Sequence, residues 1–247
     1  MKEIQIRKND AGQRLDRFVG KAVPLLPESL LQKYIRLKRI KRNGKGTKRD
    51  VRLVEGDVLQ LYINDEFFER PTEENAWLKI ATPRLDIVYE DENILLADKK
   101  PGVLCHSAGE WSWDTLISNI QAYLRQSGEW DPKAENAFTP ALCNRIDRNT
   151  GGIVIAAKNA EALRILNDKI RDREIDKAYL CVVCGRPKPA EGRLEGYLFK
   201  DAVKNQVYVT KKPQPGAKSA ATEYRTLQSS RGLSLVECRL LTGRTHQ

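Results

Sequence analysis

The 247-residue sequence predicts an α+β protein in two parts. A small N-terminal domain of two helices and short strands precedes a larger domain built on a mixed, mainly antiparallel sheet. Apolar residues recur at helical spacing near the start of the chain and again near residue 165, which predicts helices there. Elsewhere, strand-like segments follow one another without the regular strand–helix alternation of a parallel sheet, and this favours the α+β class.

The N-terminal domain is assigned to residues 1–63. Its first helix is predicted by apolar residues at helical spacing, namely Leu15, Phe18, Val19 and Val23. The segment SLLQKYIRLKRI predicts a second helix with Ser29 as its N-cap. IKRNGK then predicts an Asn-Gly turn between short strands, and EGDVLQLYI predicts the strand that closes the domain.

Residues 64–84 are acidic and irregular, contain Pro71 and Pro83, and are interpreted as a linker, with packing of Phe67, Phe68 and Trp77 on a neighbouring element as the alternative. Residues 85–247 form the second predicted domain. LDIVYEDENILLADKKPG predicts two strands around a polar turn, and AEALRILNDKIRDREI predicts a charged amphipathic helix. Strands follow in KAYLCVVCG, TEYRTLQ and LSLVECRLLTG.

Composition excludes several classes of function. No stretch is apolar enough to predict a membrane span, and MKEIQIRKND lacks the features of a signal peptide, so a cytoplasmic protein with free thiols is expected. Cys181 and Cys184 form a C-x-x-C, but they lie in a segment that predicts a buried strand, and no second pair completes a zinc site. The two histidines are too isolated to predict a metal site.

Positive charge is concentrated at the N-terminus. Residues 1–63 contain 16 Lys and Arg against 7 Asp and Glu, whereas the remainder is almost balanced. The segment RLKRIKRNGKGTKRDVR has nine basic residues and one acid. Such a segment is either a solvated face or, as we favour here, a phosphate-binding surface whose affinity falls steeply with salt. The candidate RNA-binding residues are Lys33, Arg36, Lys38, Arg39, Lys41, Arg42 and Asn43.

The segment CNRIDRNTGGIVIAAKN places Asp147 between Arg145 and Arg148, before a Thr-Gly-Gly turn and an apolar run. Flanking arginines favour the ionised form of a carboxylate. The pattern fits a salt-bridged structural loop, and it also fits a catalytic carboxylate that faces a polyanion. These residues alone leave both interpretations open.

Four segments in order resemble the motifs of the RluA-type family of RNA pseudouridine synthases: DKKPGVLCH, NRIDRNTGG, KAYLCVVCG and LTGRTHQ. The N-terminal segments RLDRF, LLQKYIR, IKRNGK and EGDVL are similar to the small RNA-binding domain of the ribosomal-protein S-four type. The resemblance covers residues 12–247, and it implies an RNA-binding domain followed by a pseudouridine synthase catalytic domain.

The resemblance also implies roles for particular residues. Asp147 matches the catalytic aspartate, and Arg145 matches the arginine of the same loop. Tyr179 matches a tyrosine expected to lie against the target base. Arg244 matches an arginine expected to pair with the catalytic carboxylate. We therefore expect Asp147 to be catalytic and Arg145, Tyr179 and Arg244 to bind substrate.

The sequence departs from the family pattern at two motifs. Asn144 and Gly151 replace the usual histidine and serine, and Lys100 and Pro101 stand where a proline and a small residue are more common. The resemblance implies further strand and helix beyond Gln247, so we expect the catalytic domain to be truncated here.

The implied reaction converts uridine to pseudouridine without a cofactor or metal, with Asp147 as nucleophile or as base. The expected partner is RNA, with ribosomal RNA of the large subunit favoured over transfer RNA. We also expect a monomer that does not bind membranes. A non-catalytic RNA-binding protein derived from this family is the alternative. A nucleotide-sugar hydrolase is a weaker one, because no second carboxylate is marked at suitable separation.

Overall fold

The structure is a computed structural model that describes residues 1–7, 10–69, 74–107, 112–132, 138–201, 206–244 and 246–247. The chain forms two compact units, residues 1–166 and residues 167–247. The α+β class predicted from the sequence is confirmed. The domain boundaries predicted at residues 63 and 85 do not coincide with the division into compact units. The assignment of an RNA-binding domain and a catalytic domain stays a prediction.

The first elements of residues 1–166 are two helices and a four-stranded antiparallel sheet, in the strand order β1-β4-β2-β3. They are β1 (Lys2–Gln5), α1 (Leu15–Ala22), α2 (Glu28–Arg36), β2 (Ile40–Arg42), β3 (Lys45–Gly46) and β4 (Val58–Leu61). All four apolar residues that predicted the first helix are buried, and the last of them follows α1 directly. Ser29 is not the N-cap of α2, because Pro27 in an extended conformation caps the helix and places Ser29 inside it.

The predicted Asn-Gly turn joins β2 and β3, with positive φ at Asn43 and Gly44, as a two-residue hairpin requires. Asp57, which precedes β4, holds this turn. Its buried carboxylate accepts from Asn43 Nδ2 at 2.8 Å and from the Val54 N–H at 2.7 Å, and it lies 2.7 Å from Arg42 Nε. Burial acts to raise the pKa of Asp57, but these partners together hold it below its ordinary value.

A second antiparallel sheet of four strands, in the order β5-β6-β8-β7, completes residues 1–166. Two short 3₁₀ helices, Asp65–Phe68 and Ala76–Lys79, come first. They are followed by β5 (Ile87–Glu90), β6 (Ile94–Lys99), α3 (Leu116–Ser127), β7 (Ala141–Leu142), β8 (Gly152–Ala157) and α4 (Ala160–Arg171). α3 has no counterpart in the sequence-based prediction; Thr115 caps its start, and Gly128 ends it in the left-handed conformation.

The predicted linker contributes to the hydrophobic core. Phe67 and Trp77 are buried, and Trp77 meets Trp130 edge-on with ring centroids 5.4 Å apart. Buried apolar side chains of both sheets belong to the same cluster. The segments Asp65–Phe68 and Ala76–Lys79 therefore pack as part of the structure instead of forming a solvated connection.

Residues 167–247 are dominated by one five-stranded antiparallel sheet, in the order β11-β10-β12-β13-β9. Its strands are β9 (Ala178–Cys184), β10 (Glu191–Asp201), β11 (Gln206–Thr210), β12 (Lys218–Ser230) and β13 (Leu233–Leu240). The prediction of a mixed sheet is wrong for the described residues, where every paired strand is antiparallel and the parallel bridge between Leu104 and Thr115 is isolated. Cys181 and Cys184 are exposed, which corrects their interpretation as core cysteines, because β9 has exposed residues on both faces of the sheet.

In the part of the chain that the structure describes, no helix has the length and apolar character needed to cross a membrane.

The Asp57 contacts lead to a prediction about stability. Asp57→Asn should lower the free energy of unfolding at pH 7 by about 2 kcal/mol, because a buried acceptor of several donors loses its charge. A carboxyl whose pKa is lowered by folding stabilises the protein above its unfolded pKa of about 3.9, and this contribution is lost as the pH falls through the folded value. The difference between variant and wild type should therefore shrink below about pH 4.

Urea denaturation between pH 7 and pH 3.5 measures this difference, with the exposed Asp50→Asn as the matched control. A difference that stayed constant with pH, or an equal loss in the control, would contradict the assigned role of Asp57.

Candidate active site

The centre of the candidate site is a buried lysine at the end of β6. Along this strand Leu95, Ala97 and Lys99 face inward in alternation, and Lys99 is 1% exposed. Its ammonium donates to the carbonyl oxygens of Lys100 at 3.1 Å, Val103 at 2.8 Å and Arg148 at 3.1 Å. The three donors of a lysine ammonium are thus matched to three acceptors.

Electrostatics link Lys99 to the candidate catalytic residue. Burial lowers the pKa of Lys99, because the charged form loses hydration. Attraction to the Asp147 carboxylate acts in the opposite direction and favours the ammonium. Burial is the largest of these effects, so the pKa of Lys99 stays below its ordinary value.

Arg148 is held by a second set of contacts, with Gly102. The Gly102 N–H donates to the Arg148 carbonyl oxygen at 2.7 Å, and Arg148 Nε donates to the Gly102 carbonyl oxygen at 3.1 Å. Gly102 has a φ of 91°, a conformation that glycine adopts without steric cost. We call the contacts of Lys99 and Gly102 with Arg148 the loop clamp. It fixes the chain on the C-terminal side of Asp147.

The N-terminal side of the same loop is fixed to β8. The Asn144 side chain accepts from the Ile155 N–H at 2.8 Å, and the Cys143 N–H donates to the Ile155 carbonyl oxygen at 2.7 Å. Asn144, which departs from the family pattern, therefore extends the strand pairing by a side-chain hydrogen bond. Asp147 lies between these two attachments and is exposed.

The departures at Pro101 and Gly151 are in contact with each other. A Cβ added to Gly151 would lie 3.2 Å from Pro101 Cδ, 3.3 Å from Pro101 Cγ and 3.5 Å from the Lys99 carbonyl oxygen. The absence of a side chain at residue 151 makes room for the proline ring at residue 101. The two departures therefore fit one another sterically.

The predicted substrate-binding residues fall in different units. Arg145 is exposed on the loop that carries Asp147. Tyr179 is half-buried on β9, opposite Cys238 of β13, in residues 167–247. Arg244 belongs to the same unit as Tyr179. The pairing of Arg244 with Asp147 joins residues of different units, and it stays a prediction.

Hydrogen bonds hold the loop of Arg244 to β12. Arg244 Nε donates to the Ser219 carbonyl oxygen at 2.8 Å. The Gln247 side chain accepts from the Arg244 N–H at 3.2 Å and donates to the Ala221 carbonyl oxygen at 3.0 Å. Together with Lys177 this loop lines a cavity of about 290 Å³ that carries several cationic side chains. Asp176 also lines the cavity and pairs with Arg239 at 2.5 Å, so part of this positive charge is neutralised.

The candidate RNA-binding residues divide into two groups. Arg42 and Asn43 contact Asp57 within the hairpin, so they contribute to its structure. Five remain as candidate contacts on the end of α2, in the connection to β2 and on β2. Four of them are exposed, Lys33, Arg36, Lys38 and Arg39, and Lys41 is half-buried.

Sequence reasoning missed Lys99 and Gly102. The alternation of LLADK along a predicted strand places Lys99 on the buried face, which is a signal the sequence does contain. Its partner Arg148 lies 49 residues further along the chain, and no local pattern indicates that contact.

Comparisons with known proteins identify the family of this chain. The family model described as RNA pseudouridylate synthase matches residues 93–247. An uncharacterized RNA pseudouridine synthase of Mycoplasma genitalium is 32% identical over 246 residues, which cover 98% of this chain and 75% of that protein. The ribosomal large subunit pseudouridine synthase C of Escherichia coli is 27% identical, covering 100% of this chain and 74% of that protein. The chain thus spans about three quarters of the length of these relatives.

A solved structure shares the fold. Human RNA pseudouridylate synthase domain containing 4 has a TM-score of 0.51 and 21% identity, over 65% of this chain and 60% of that chain.

Fold and motifs define an α+β enzyme of the pseudouridine synthase class. The chain belongs to the RNA pseudouridylate synthase family, and the predicted resemblance to its RluA-type members is confirmed. The assignment of the N-terminal region to the ribosomal-protein S-four type stays a prediction, as do the roles of the site residues.

The loop clamp leads to a prediction about Lys99. Lys99→Met keeps a long side chain but leaves three carbonyl oxygens without their donor, so the loop should loosen. Hydrogen exchange at the Gly102 amide should accelerate, and turnover of uridine in RNA should fall about 100-fold, the cost of displacing a catalytic group by about 1 Å. Lys100→Met is the control, because Lys100 is exposed and pairs with Asp86 and Asp98. Unchanged exchange at Gly102 in Lys99→Met would refute the clamp.

The contact between Pro101 and Gly151 predicts coupled mutations. Gly151→Ser should destabilise the protein by about 1 kcal/mol through overpacking, and Pro101→Ala in the same chain should remove that cost. A double-mutant cycle of unfolding free energies measures the coupling. Additive effects of the two substitutions would show that the proline ring does not limit residue 151.

Proposed function

We propose that this protein isomerises specific uridines in RNA through Asp147, without a cofactor. The observation that supports this most directly is an exposed carboxylate on a loop that is fixed at both ends. Asn144 attaches one end to β8, and the loop clamp holds the other at Arg148. Such preorganisation keeps a reacting group in position while leaving it accessible to substrate.

The reaction requires bond rearrangement without loss of heavy atoms. The bond between the ribose and N1 of uracil breaks, the base turns, and a new bond forms between the ribose and C5. The hydrogen on C5 leaves to solvent, and N1 gains one. A carboxylate at residue 147 serves this reaction either as a nucleophile or as a base that removes a sugar proton.

The proposed substrate-binding residues give the target base access to Asp147 and keep the Asp147 carboxylate ionised. A uridine within structured RNA must leave its stack to reach a carboxylate, at a cost of a few kcal/mol. Arg145, exposed beside Asp147, is proposed to occupy the space that the base leaves. Tyr179 is proposed to lie against the target base, and Arg244 to keep the catalytic carboxylate ionised and oriented.

The proposed substrate is ribosomal RNA of the large subunit, with transfer RNA as the alternative. Support comes from relatives named as ribosomal large subunit pseudouridine synthase C. The N-terminal basic surface is proposed as an RNA-binding domain of the ribosomal-protein S-four type that docks the substrate through phosphate contacts. The protein is further proposed to act as a cytoplasmic monomer.

Asp147→Asn tests the proposal with minimal change in shape. It should reduce isomerisation at least 100-fold, because the amide is neither a base nor an effective nucleophile. RNA affinity should change by less than about twofold, since the exposed loop keeps its backbone contacts. Release of tritium from RNA labelled at C5 of uridine measures isomerisation, and filter binding measures affinity.

Glu92→Gln is the matched control, because Glu92 is an exposed carboxylate on the polar turn between β5 and β6. Full tritium release by Asp147→Asn would reject Asp147 as the catalytic group. Binding without any release by the wild type would instead support the non-catalytic RNA-binding alternative.

A further inference from the structure

A cationic groove lies where β1 and β2 begin and β4 ends in the N-terminal sheet, far from the loop of Asp147 in the sequence. It has a volume of about 560 Å³. Its lining consists of Met1, Lys38, Arg39, Lys41, Tyr62, Ile63 and Asn64. In the described part of the chain no carboxylate lines this groove, so its charge is uniformly positive.

Tyr62 is the aromatic side chain of the groove. It follows β4 directly and is 44% exposed, although neighbouring Leu61 and Ile63 are buried. Its N–H donates to the Arg39 carbonyl oxygen at 2.9 Å, which fixes its backbone against the start of β2. The Lys41 ammonium lies 5.2 Å from the ring centroid. A phenol ring is thus held at the surface with a cation beside it.

Lys38 is held in place by backbone and by packing. It has a φ of 56° after the end of α2, a left-handed position that glycine or asparagine usually occupies. Its aliphatic stem lies against the hairpin, because a Cβ added to Gly46 would be 3.1 Å from Lys38 Cγ. A lysine in a conformation that disfavours it indicates that its side chain has a role at this position.

Arg39 is also restrained. Its guanidinium lies 5.3 Å from the centroid of the Tyr34 ring, and its N–H donates to the Tyr34 carbonyl oxygen at 2.9 Å. The Arg39 backbone is therefore fixed, and its guanidinium lies within cation–π distance of the Tyr34 ring. Three cations and one exposed ring are consequently arranged around one groove with limited freedom.

We propose that this groove binds an unpaired RNA nucleotide, with its base stacked on Tyr62 and its phosphates beside Lys38, Arg39 and Lys41. The inference rests on the proposed function of the N-terminal region in RNA binding and specifies the structure that it recognises. An aromatic ring next to cations is the arrangement that single-stranded nucleic acid uses, whereas bases inside a duplex present no free face. A phosphate-only surface would not need Tyr62.

The proposal predicts different effects of groove substitutions on the binding of single-stranded and of duplex RNA. The probes are a fluorescein-labelled 12-nucleotide oligouridine and a 12-base-pair RNA duplex, with the full chain carrying Asp147→Asn so that no turnover occurs. Tyr62→Leu keeps apolar bulk but removes the ring, and it should weaken oligouridine binding about tenfold, the expected loss of one base stack. Tyr62→Phe should stay within about twofold of the parent, as should duplex binding by both variants.

A matched charge control is available. Lys48→Ala removes an exposed lysine of the same basic segment outside the groove, and it should weaken both probes by a similar factor. Lys41→Ala should weaken oligouridine more than duplex. Irradiation of 5-bromouridine RNA bound to the same chain should cross-link Tyr62, as identified by mass spectrometry.

The outcomes distinguish this inference from the function on which it rests. Equal oligouridine binding by Tyr62→Leu and its parent, with no cross-link at Tyr62, would overturn the nucleotide site while leaving RNA binding intact. An equal loss for oligouridine and duplex would show a general phosphate surface and would also overturn it. Absence of binding to either RNA by the parent chain would remove the proposed RNA-binding role and this inference together.

Discussion

The geometry of the candidate active site depends on the buried ammonium of Lys99. A charge removed from water is costly unless hydrogen bonds replace its hydration, and here three backbone carbonyl oxygens do so. Two of these carbonyls belong to the segment after β6, and the third belongs to Arg148 in the loop of Asp147. The charge therefore joins two loops that are distant in sequence. Gly102 adds reciprocal hydrogen bonds to Arg148, and the exposed carboxylate is held next to a fixed backbone.

The departures from the family pattern have local structural explanations. Asn144 replaces a histidine but forms a hydrogen bond to the Ile155 N–H, so the loop keeps its attachment to β8. Gly151 replaces a serine at a position where Pro101 leaves little room for a side chain. The departures at residues 101 and 151, which look independent along the sequence, are therefore sterically coupled. Neither alters Asp147, so they give no support to the view that this chain has lost turnover.

Sequence patterns predicted the family, both N-terminal helices, the Asn-Gly hairpin and the loop of Asp147, because each depends on residues close together in the chain. Two errors were local, because their signals lay in the immediately neighbouring residues. Pro27 displaced Ser29 as a cap, and α3 was not predicted, although Thr115 and Gly128 bound it. Other errors came from distant contacts. Lys99 was missed and Arg42 was taken as a phosphate contact, but Lys99 is buried and donates to the Arg148 carbonyl oxygen, and Arg42 pairs with Asp57. Charged residues tied to distant partners cannot be distinguished from solvated ones by local periodicity.

The central claim is that Asp147 converts particular uridines of ribosomal RNA. Its most direct test maps pseudouridine in large-subunit RNA with a reagent that modifies pseudouridine and stops reverse transcription there. The cells compared lack this protein, or regain it either unchanged or as Asp147→Asn. The account predicts that at least one position loses its signal, and that only the chain with Asp147 restores it. Persistence of every position, or restoration by Asp147→Asn, would contradict it and would leave Asp147 as a structural residue of an RNA-binding protein.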